Sequence, residues 1–568
     1  MYPEIVSPFP SCSIAKFAAD PNRSTPRGHV VPRGTELRAR EAVLGTLCRF
    51  RTAYDVRLWP LEIAAASLDD ERRLSLRVRN LSRTPIAKLE IGSLRLHLKG
   101  QGRAGIVYDR LIDGVESIEV RFANRAPIRL SAAGVAAVGF RWPDEALIDP
   151  SPRTPPGLLT LFEFLHFPEK FAFVDVNGLA EIRDLLGEDG ATDFELLFRL
   201  RTTDGVDRVD KEMFELGCTP IANVFGGAIE PRKLSGREPE VQVLAAGPAE
   251  FRVDLDNVRS TYHSEVYRVD QVAVSQPGRR ALSYEPFLQF RDRRSGVPGF
   301  WHAERRPTSL RGEAGRASVS DRDPDVNAIP GTDVFITLTE LGDTPFSSDR
   351  VLHVTGQFTN RHLARALPSA VNLDLVNAGP ANDVVESVTL ATEVTETRPP
   401  RLDDEALWRL VSLLSLSFVN IEDRPGEPAG AALRTLLDIQ NFGDAPAVRQ
   451  RIDSIAGVRT RQRTRRVWWP NDDAAGERSR WVGIDAPPAH ALVGLVRGTE
   501  VTVVLNERQG TGDVADSQML FGSVLDRYFR SLAGVNGFTE TAVLLRRSDG
   551  TERTLRHWGP EFGDLPAL

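Results

Sequence analysis

Alternation with period two is the feature that most restricts this chain. Leu74, Leu76 and Val78 are separated by polar or charged residues, and so are Leu94, Leu96 and Leu98. One apolar and one polar face per segment is the pattern of antiparallel strands that cover a core on one side only. Phe194 to Leu200, Val334 to Leu338 and Val351 to Phe358 read as further strands, and so does Lys170 to Val176. Helical spacing is rarer. It occurs at Ile106 to Ile112, at Gly157 to His166, at Leu407, Leu410, Val411 and Leu414, and at Phe521, Val524, Leu525, Tyr528 and Leu532. Strands at Glu500 to Leu505 and Thr541 to Leu545 flank the last helix, and a Ser548-Asp549-Gly550 turn closes a hairpin. The expected class is therefore α+β: multidomain, strand-rich, with mainly antiparallel sheets and peripheral helices.

The chain's 568 residues suggest three or four domains at roughly 100–200 residues each. Prolines at 143, 150, 152, 155 and 156 fix φ and remove amide donors, which marks a joint. The expected division is 1–150, strand-rich; 151–260, α+β; 261–400, strand-rich; and 401–568, α+β.

Composition excludes several classes. The net charge of -7 argues against bulk nucleic-acid binding, which leaves a basic footprint. Cys12, Cys48 and Cys218 are odd in number and widely spaced, so no disulfide framework is implied and a reducing compartment fits. Met1 to Phe17 has no basic region leading into an apolar one, so no secretory signal is visible. The most apolar stretch, Leu158 to Phe167, is far shorter than the roughly 20 residues of a membrane helix. A soluble, cytoplasmic protein is expected.

The motifs of catalysis are fragmentary. Gly100, Gly102 and Gly105 spell G-x-G-x-x-G, but the strand before them alternates, whereas a central parallel strand is apolar on both faces. They read as a plain turn. Ser13 and Lys16 form S-x-x-K without the K-T-G that accompanies it in penicillin-binding enzymes. Asp321, Asp323, Asp325 and Asn327 resemble the start of a calcium loop, but Val326 stands where the sharp turn needs Gly and Thr332 where a bidentate Glu belongs. None of the nine histidines has zinc-ligand spacing, and His166 in its aromatic run reads as packed. No cofactor, metal site or catalytic residue is expected.

One charged stretch is distinctive. Arg459, Arg461, Arg463 and Arg465 alternate, followed by Arg466, Trp468 and Trp469. As a strand this lines four guanidinium groups along one face. Such a face suits an acidic protein partner, a phosphate backbone with aromatic stacking, or solvent alone. Arginine is also favoured throughout: only six of the 71 basic residues are Lys. Its planar fork pairs bidentately with carboxylates, although a GC-rich genome gives the same bias.

Several segments, in order, resemble one family. They are Ser7 to Phe17, Val31 to Thr35, Cys48 to Thr52, Tyr54 to Leu61, Leu161 to Leu179 (LFEFLHFPEKFAFVDVNGL), Cys218 to Phe225, Tyr267 to Asp270, Leu407 to Ser417, Arg497 to Val501 and Leu520 to Phe538. Together they resemble the TssF (ImpG, VasA) family of type VI secretion baseplate proteins. The resemblance implies a structural, non-enzymatic subunit, similar in role to wedge proteins of contractile phage tails. It implies two copies joining one TssG in a wedge, contact between the copies, and assembly with TssE, TssK, the VgrG spike and the sheath. It places the protein in the cytoplasm, at a baseplate docked to the inner-membrane complex. It also implies a helical segment ahead of Tyr2 and Pro3 that this sequence lacks, which is expected to weaken association with TssG. Val467 to His490 is insertion-like and reads as a surface loop. The rival readings are a nucleic-acid-binding protein using Arg459 to Arg466 and an enzyme with a dispersed site.

Overall fold

The structure is a computed structural model. It describes residues 3–562 except 24, 101–102, 124, 131–133, 152–153, 182–192, 207, 230, 235–239, 244–263, 288–298, 308–330, 341–348, 377–378, 380–382, 415–421, 424–425, 427, 443–444, 470–491, 508–512 and 534–536. The chain divides into two compact units, and neither is continuous in sequence. The first is Leu61–Leu216 with Glu405–Leu568; the second is Tyr2–Pro60 with Gly217–Asp404. Neither unit coincides with one of the consecutive segments expected from the sequence. The proline-rich joint lies inside the first unit, where Ala146, Leu147 and Ile148 are buried.

Among the described residues the first unit contains three sheets. The five-stranded sheet runs in the order Ile128–Leu130, Val115–Arg121, Asp193–Leu200, Arg73–Asn80, Leu61–Leu68, antiparallel throughout. Leu74, Leu76 and Val78 are fully buried on one face of Arg73–Asn80, as the alternation requires. The four-stranded sheet, Val135–Ala137, Phe173–Asn177, Ser93–Leu98, Phe214–Glu215, is also antiparallel. Its second strand starts later than the sequence suggested. Lys170 belongs to a 3-10 turn, Pro168–Phe171, because Pro168 cannot donate to a ladder and opens a helical turn instead.

The third sheet is C-terminal: Ile455–Trp469, Leu492–Asn506, Gly537–Arg546, Glu552–Phe562. The outer pairs are antiparallel hairpins and the central pair is parallel. A parallel pair needs a crossover, supplied by helix Gln518–Arg530. Ser517 caps this helix, its hydroxyl accepting from the Leu520 amide at 2.8 Å. The helix packs on Pro156–His166, and Phe164 stacks on Phe521 with centroids 5.6 Å apart.

The second unit contains a closed barrel of six strands: Cys12–Ala19, Cys218–Ala222, Thr46–Thr52, Glu36–Val43, Asn372–Val376 and Val385–Leu390, which returns to Cys12–Ala19. Closure leaves no free sheet edge. Its interior holds Phe17, Leu37, Phe50, Ile221 and Leu373, with Cys48, whose thiol burial pushes up to about 12. None of the three cysteines is in a disulfide, and all are buried. The unit also holds an eight-stranded sheet in which Val351–Thr359 pairs with Glu265–Gln276.

Candidate functional site

The arginine stretch forms a strand, Ile455–Trp469, paired along its length with Leu492–Asn506. Alternation puts Arg459, Arg461, Arg463 and Arg465 on one face. That face is not a bare cationic ridge. Arg463 Nε donates to Glu500 at 2.6 Å, and Arg465 makes a two-pronged pair with Glu540 at 2.6 and 2.9 Å. Arg459 donates to Glu552 at 2.9 Å, and Glu552 also accepts from Arg546. The carboxylates come from the three neighbouring strands. Glu540 is fully buried beneath Arg465, a setting in which a forked guanidinium compensates a desolvated charge better than an ammonium does. Arginine hydrogen bonds, with their charge, hold the Glu500 and Glu552 carboxyls below the usual range. Arg461, Arg466 and Arg497 have no ion pair among the described residues. The backbone carries the strand through Trp469, but the side chains of Trp468 and Trp469 lie outside the described residues.

An aromatic plug completes this face. Arg463, Gly498 and Phe538 are successive neighbours across three strands, and a Cβ on Gly498 would lie 2.4 Å from the Phe538 ring. The ring therefore lies against the glycine backbone, with Val496 and Phe562 beside it. Gly498→Val should displace the ring and cost about 2–4 kcal/mol, by the scale of overpacked cores and lost aromatic burial. A lower urea midpoint would show it. An unchanged midpoint would mean the ring is not held there.

A cavity of about 570 Å³ also lies in the first unit, lined by Asp109, Arg110, Asp204, Asp513, Ser517 and Arg553 among others. Its charged groups are largely engaged in structure. The Ser517 hydroxyl donates to Asp109, Arg556 pairs with Asp113 at 3.1 Å, and Arg553 pairs with Glu507 at 2.6 Å. Burial raises the Asp109 carboxyl to about 7, against the lowering effect of Ser517. The Ser517 hydroxyl is committed twice, donating to Asp109 and accepting from the Leu520 amide as a helix cap.

The other sequence candidates separate cleanly. Ser93–Leu98, before Gly100, is antiparallel to both neighbours, so the glycines do not sit in a parallel nucleotide-binding unit. Gly102 lies outside the described residues. Gly105 serves close packing: a Cβ there would fall 2.3 Å from the Asp513 carbonyl oxygen. Ser13 is buried and bonds the Thr392 carbonyl, while Lys16 is exposed on the opposite side of the strand. Three residues apart on a strand, they cannot act as a pair. The Asp321 to Asn327 stretch and most of Val467 to His490 lie outside the described residues. His166 is buried between Phe162 and Phe442, its Nε2 2.8 Å from the Gln440 carbonyl oxygen.

Sequence reasoning missed one buried ion pair, Glu163 with Lys170, each 1% exposed. Glu163 Oε1 also accepts from the Leu147 amide at 2.8 Å. Lys170 Nζ sits 4.7 Å from the centroid of the Phe171 ring. The available signal was Glu163 and Lys170 within a largely aromatic and aliphatic run, since such residues are rarely buried unless paired.

These features define a strand-built protein whose polar clusters mostly bind its own elements together. Its fold is that of type VI secretion baseplate proteins. A chain in the cryo-electron microscopy structure of a TssK-TssF-TssG baseplate subcomplex superposes with a TM-score of 0.73 at 21% identity, covering 100% of this chain and 93% of that one. A chain of a type VI baseplate complex superposes at 0.54 and 19% identity, covering 100% and 87%. The family described as Type VI secretion system, TssF, matches residues 1–564, and this chain belongs to it. The type VI secretion system component TssF1 of Pseudomonas aeruginosa is 27% identical over 598 aligned residues, covering 100% of this chain and 87% of the relative. Among the described residues no helix is long and apolar enough to cross a membrane.

Proposed function

We propose that this chain is a non-catalytic baseplate subunit that assembles with TssG and TssK in the cytoplasm. The match to the TssF family over residues 1–564 carries this reading. The fold likeness over the whole chain to a protein solved together with TssK and TssG supports it. In its finer form the reading has two copies joining one TssG as a wedge, touching each other, with TssE beside them. The wedge carries the VgrG spike and the sheath, and docks at the inner-membrane complex. The arginine-rich strand is the part of the first unit assigned here to a protein partner. Pairing of Arg459, Arg463 and Arg465 with glutamates leaves too little free charge in a row to track a phosphate backbone.

Co-expression with TssG and TssK from the same genome tests this. Native mass measurement should find one complex with two of these chains per TssG. A chain that elutes alone while TssG and TssK still associate would overturn the reading.

A further inference from the structure

We propose that the outer edge of the Ile455–Trp469 strand is a docking site for an extended, acidic segment of a partner protein, which adds to the sheet as a fifth strand. The proposal deepens the baseplate reading and rests on it for the existence of a partner, but the edge itself is read from hydrogen bonding.

The strand lies at the end of its sheet. Asp423 shows which of its backbone groups face outward. The Asp423 amide donates to the Val458 carbonyl at 3.2 Å, and the Val458 amide donates to the Asp423 carboxylate at 3.0 Å. Val458 therefore turns both groups away from Leu492–Asn506. In an antiparallel ladder this direction repeats every second residue. The register from Val458 to Trp469 runs without a bulge. Thr460, Gln462, Thr464 and Arg466 must then present their amides and carbonyls on the same edge. None of them has a partner for these groups among the described residues. Asp423 thus satisfies the first outward position, and among the described residues nothing fills the next four, over about 20 Å.

Open edges are usually blunted by charge. Here much of that charge is turned inward. Arg459, Arg463 and Arg465 reach across their own sheet to Glu552, Glu500 and Glu540. Arg461 and Arg466 are exposed, without an ion pair among the described residues, and project to opposite faces of the strand. An incoming strand with carboxylates would meet a cation on either face while its backbone fills the ladder. A second copy of this strand is the wrong occupant, because it would set one row of arginines against another. The edge residues Thr460, Gln462 and Thr464 offer no apolar pocket, so the recognition is by backbone and charge.

The test uses the full chain and a fluorescent seven-residue peptide alternating glutamate with threonine. Gln462→Pro removes one outward amide without touching the ladder to Leu492–Asn506, a position where edge strands tolerate proline. The peptide should bind the unaltered chain and lose about tenfold or more in affinity on Gln462→Pro, the scale of a lost hydrogen bond and its neighbours. Replacing glutamate with glutamine, or methylating alternate peptide amides, should weaken it similarly. The melting temperature of Gln462→Pro should stay at the original value. Equal binding by Gln462→Pro and the original chain overturns the proposal. So does strong hydrogen-exchange protection at Thr460, Gln462, Thr464 and Arg466 in the free chain, which would mean the chain covers its own edge. Duplex DNA binding that falls with Arg461→Glu but ignores Gln462→Pro would overturn it in favour of a nucleic-acid surface. Failure here, in a chain that still assembles with TssG and TssK, removes this edge and leaves the baseplate reading intact.

Discussion

Lys170→Met is expected to destabilise the unit built from Leu61–Leu216 and Glu405–Leu568 by about 3–5 kcal/mol, the usual cost of stranding one member of a buried ion pair. Glu163 and Lys170 are both 1% exposed, so water cannot replace the lost partner. The carboxylate would remain fixed by the Leu147 amide, and the Phe171 ring beside the lost ammonium carries no charge to replace it. Lys170→Met with Glu163→Gln should recover about half of the loss, because the amide oxygen can still accept from Leu147 and no bare charge remains. Urea unfolding followed by tryptophan fluorescence compares the unaltered chain, Lys170→Met, Glu163→Gln and the double variant. The key outcome is non-additivity. If the double variant loses the sum of the two single losses, the residues act independently and the pair does not hold the Leu147 region to helix Pro156–His166. The stretch Leu161 to Leu179 then owes its composition to aromatic packing alone.

How much of this was legible in the sequence depends on the range of each interaction. Alternation at Leu74, Leu76 and Val78 is local, and it placed a strand that the structure contains as Arg73–Asn80. Helical spacing at Phe521 to Leu532 likewise marked Gln518–Arg530. Lys170 to Val176 reads as one strand by composition, but Pro168 imposes a turn through Phe171 first. The arginine row was visible, and its partners were not. Glu500, Glu540 and Glu552 lie 37, 75 and 93 residues further on. Only strand order brings them beneath the guanidinium groups. The same limit applies to the division of the chain. A reading along the sequence produces consecutive segments, whereas the first unit is left at Leu216 and re-entered at Glu405. Helix Pro156–His166 finds its partner in Gln518–Arg530, with Gly157 bare enough for the Arg527 carbonyl to approach.

Asp109→Asn is expected to stabilise the same unit at pH 8 and to do little at pH 4. Burial lifts the Asp109 carboxyl from its ordinary 3.8 to about 7. The folded chain therefore keeps this proton over a range where the unfolded chain has released it. Stability is greatest below the unfolded value and falls as the pH rises through about 7, by at most about 4 kcal/mol. The Asp513 carboxyl, also raised by burial, acts in the same direction. Arg110 opposes the effect and Asp113 adds to it, while Ser517 donates to the carboxylate. Asparagine presents an oxygen to that same hydroxyl and carries no charge at any pH, so the cap of Gln518–Arg530 is kept while the desolvation cost disappears. Unfolding free energies taken at intervals from pH 4 to pH 8 should converge at the acid end and separate by about 2–4 kcal/mol at the alkaline end. Parallel profiles would show that the Asp109 carboxylate is solvated in the folded chain. The cavity beside it would then be open to water, and Ser517 would fasten the crossover helix to Ala104–Asp113 through an ordinary exposed hydrogen bond.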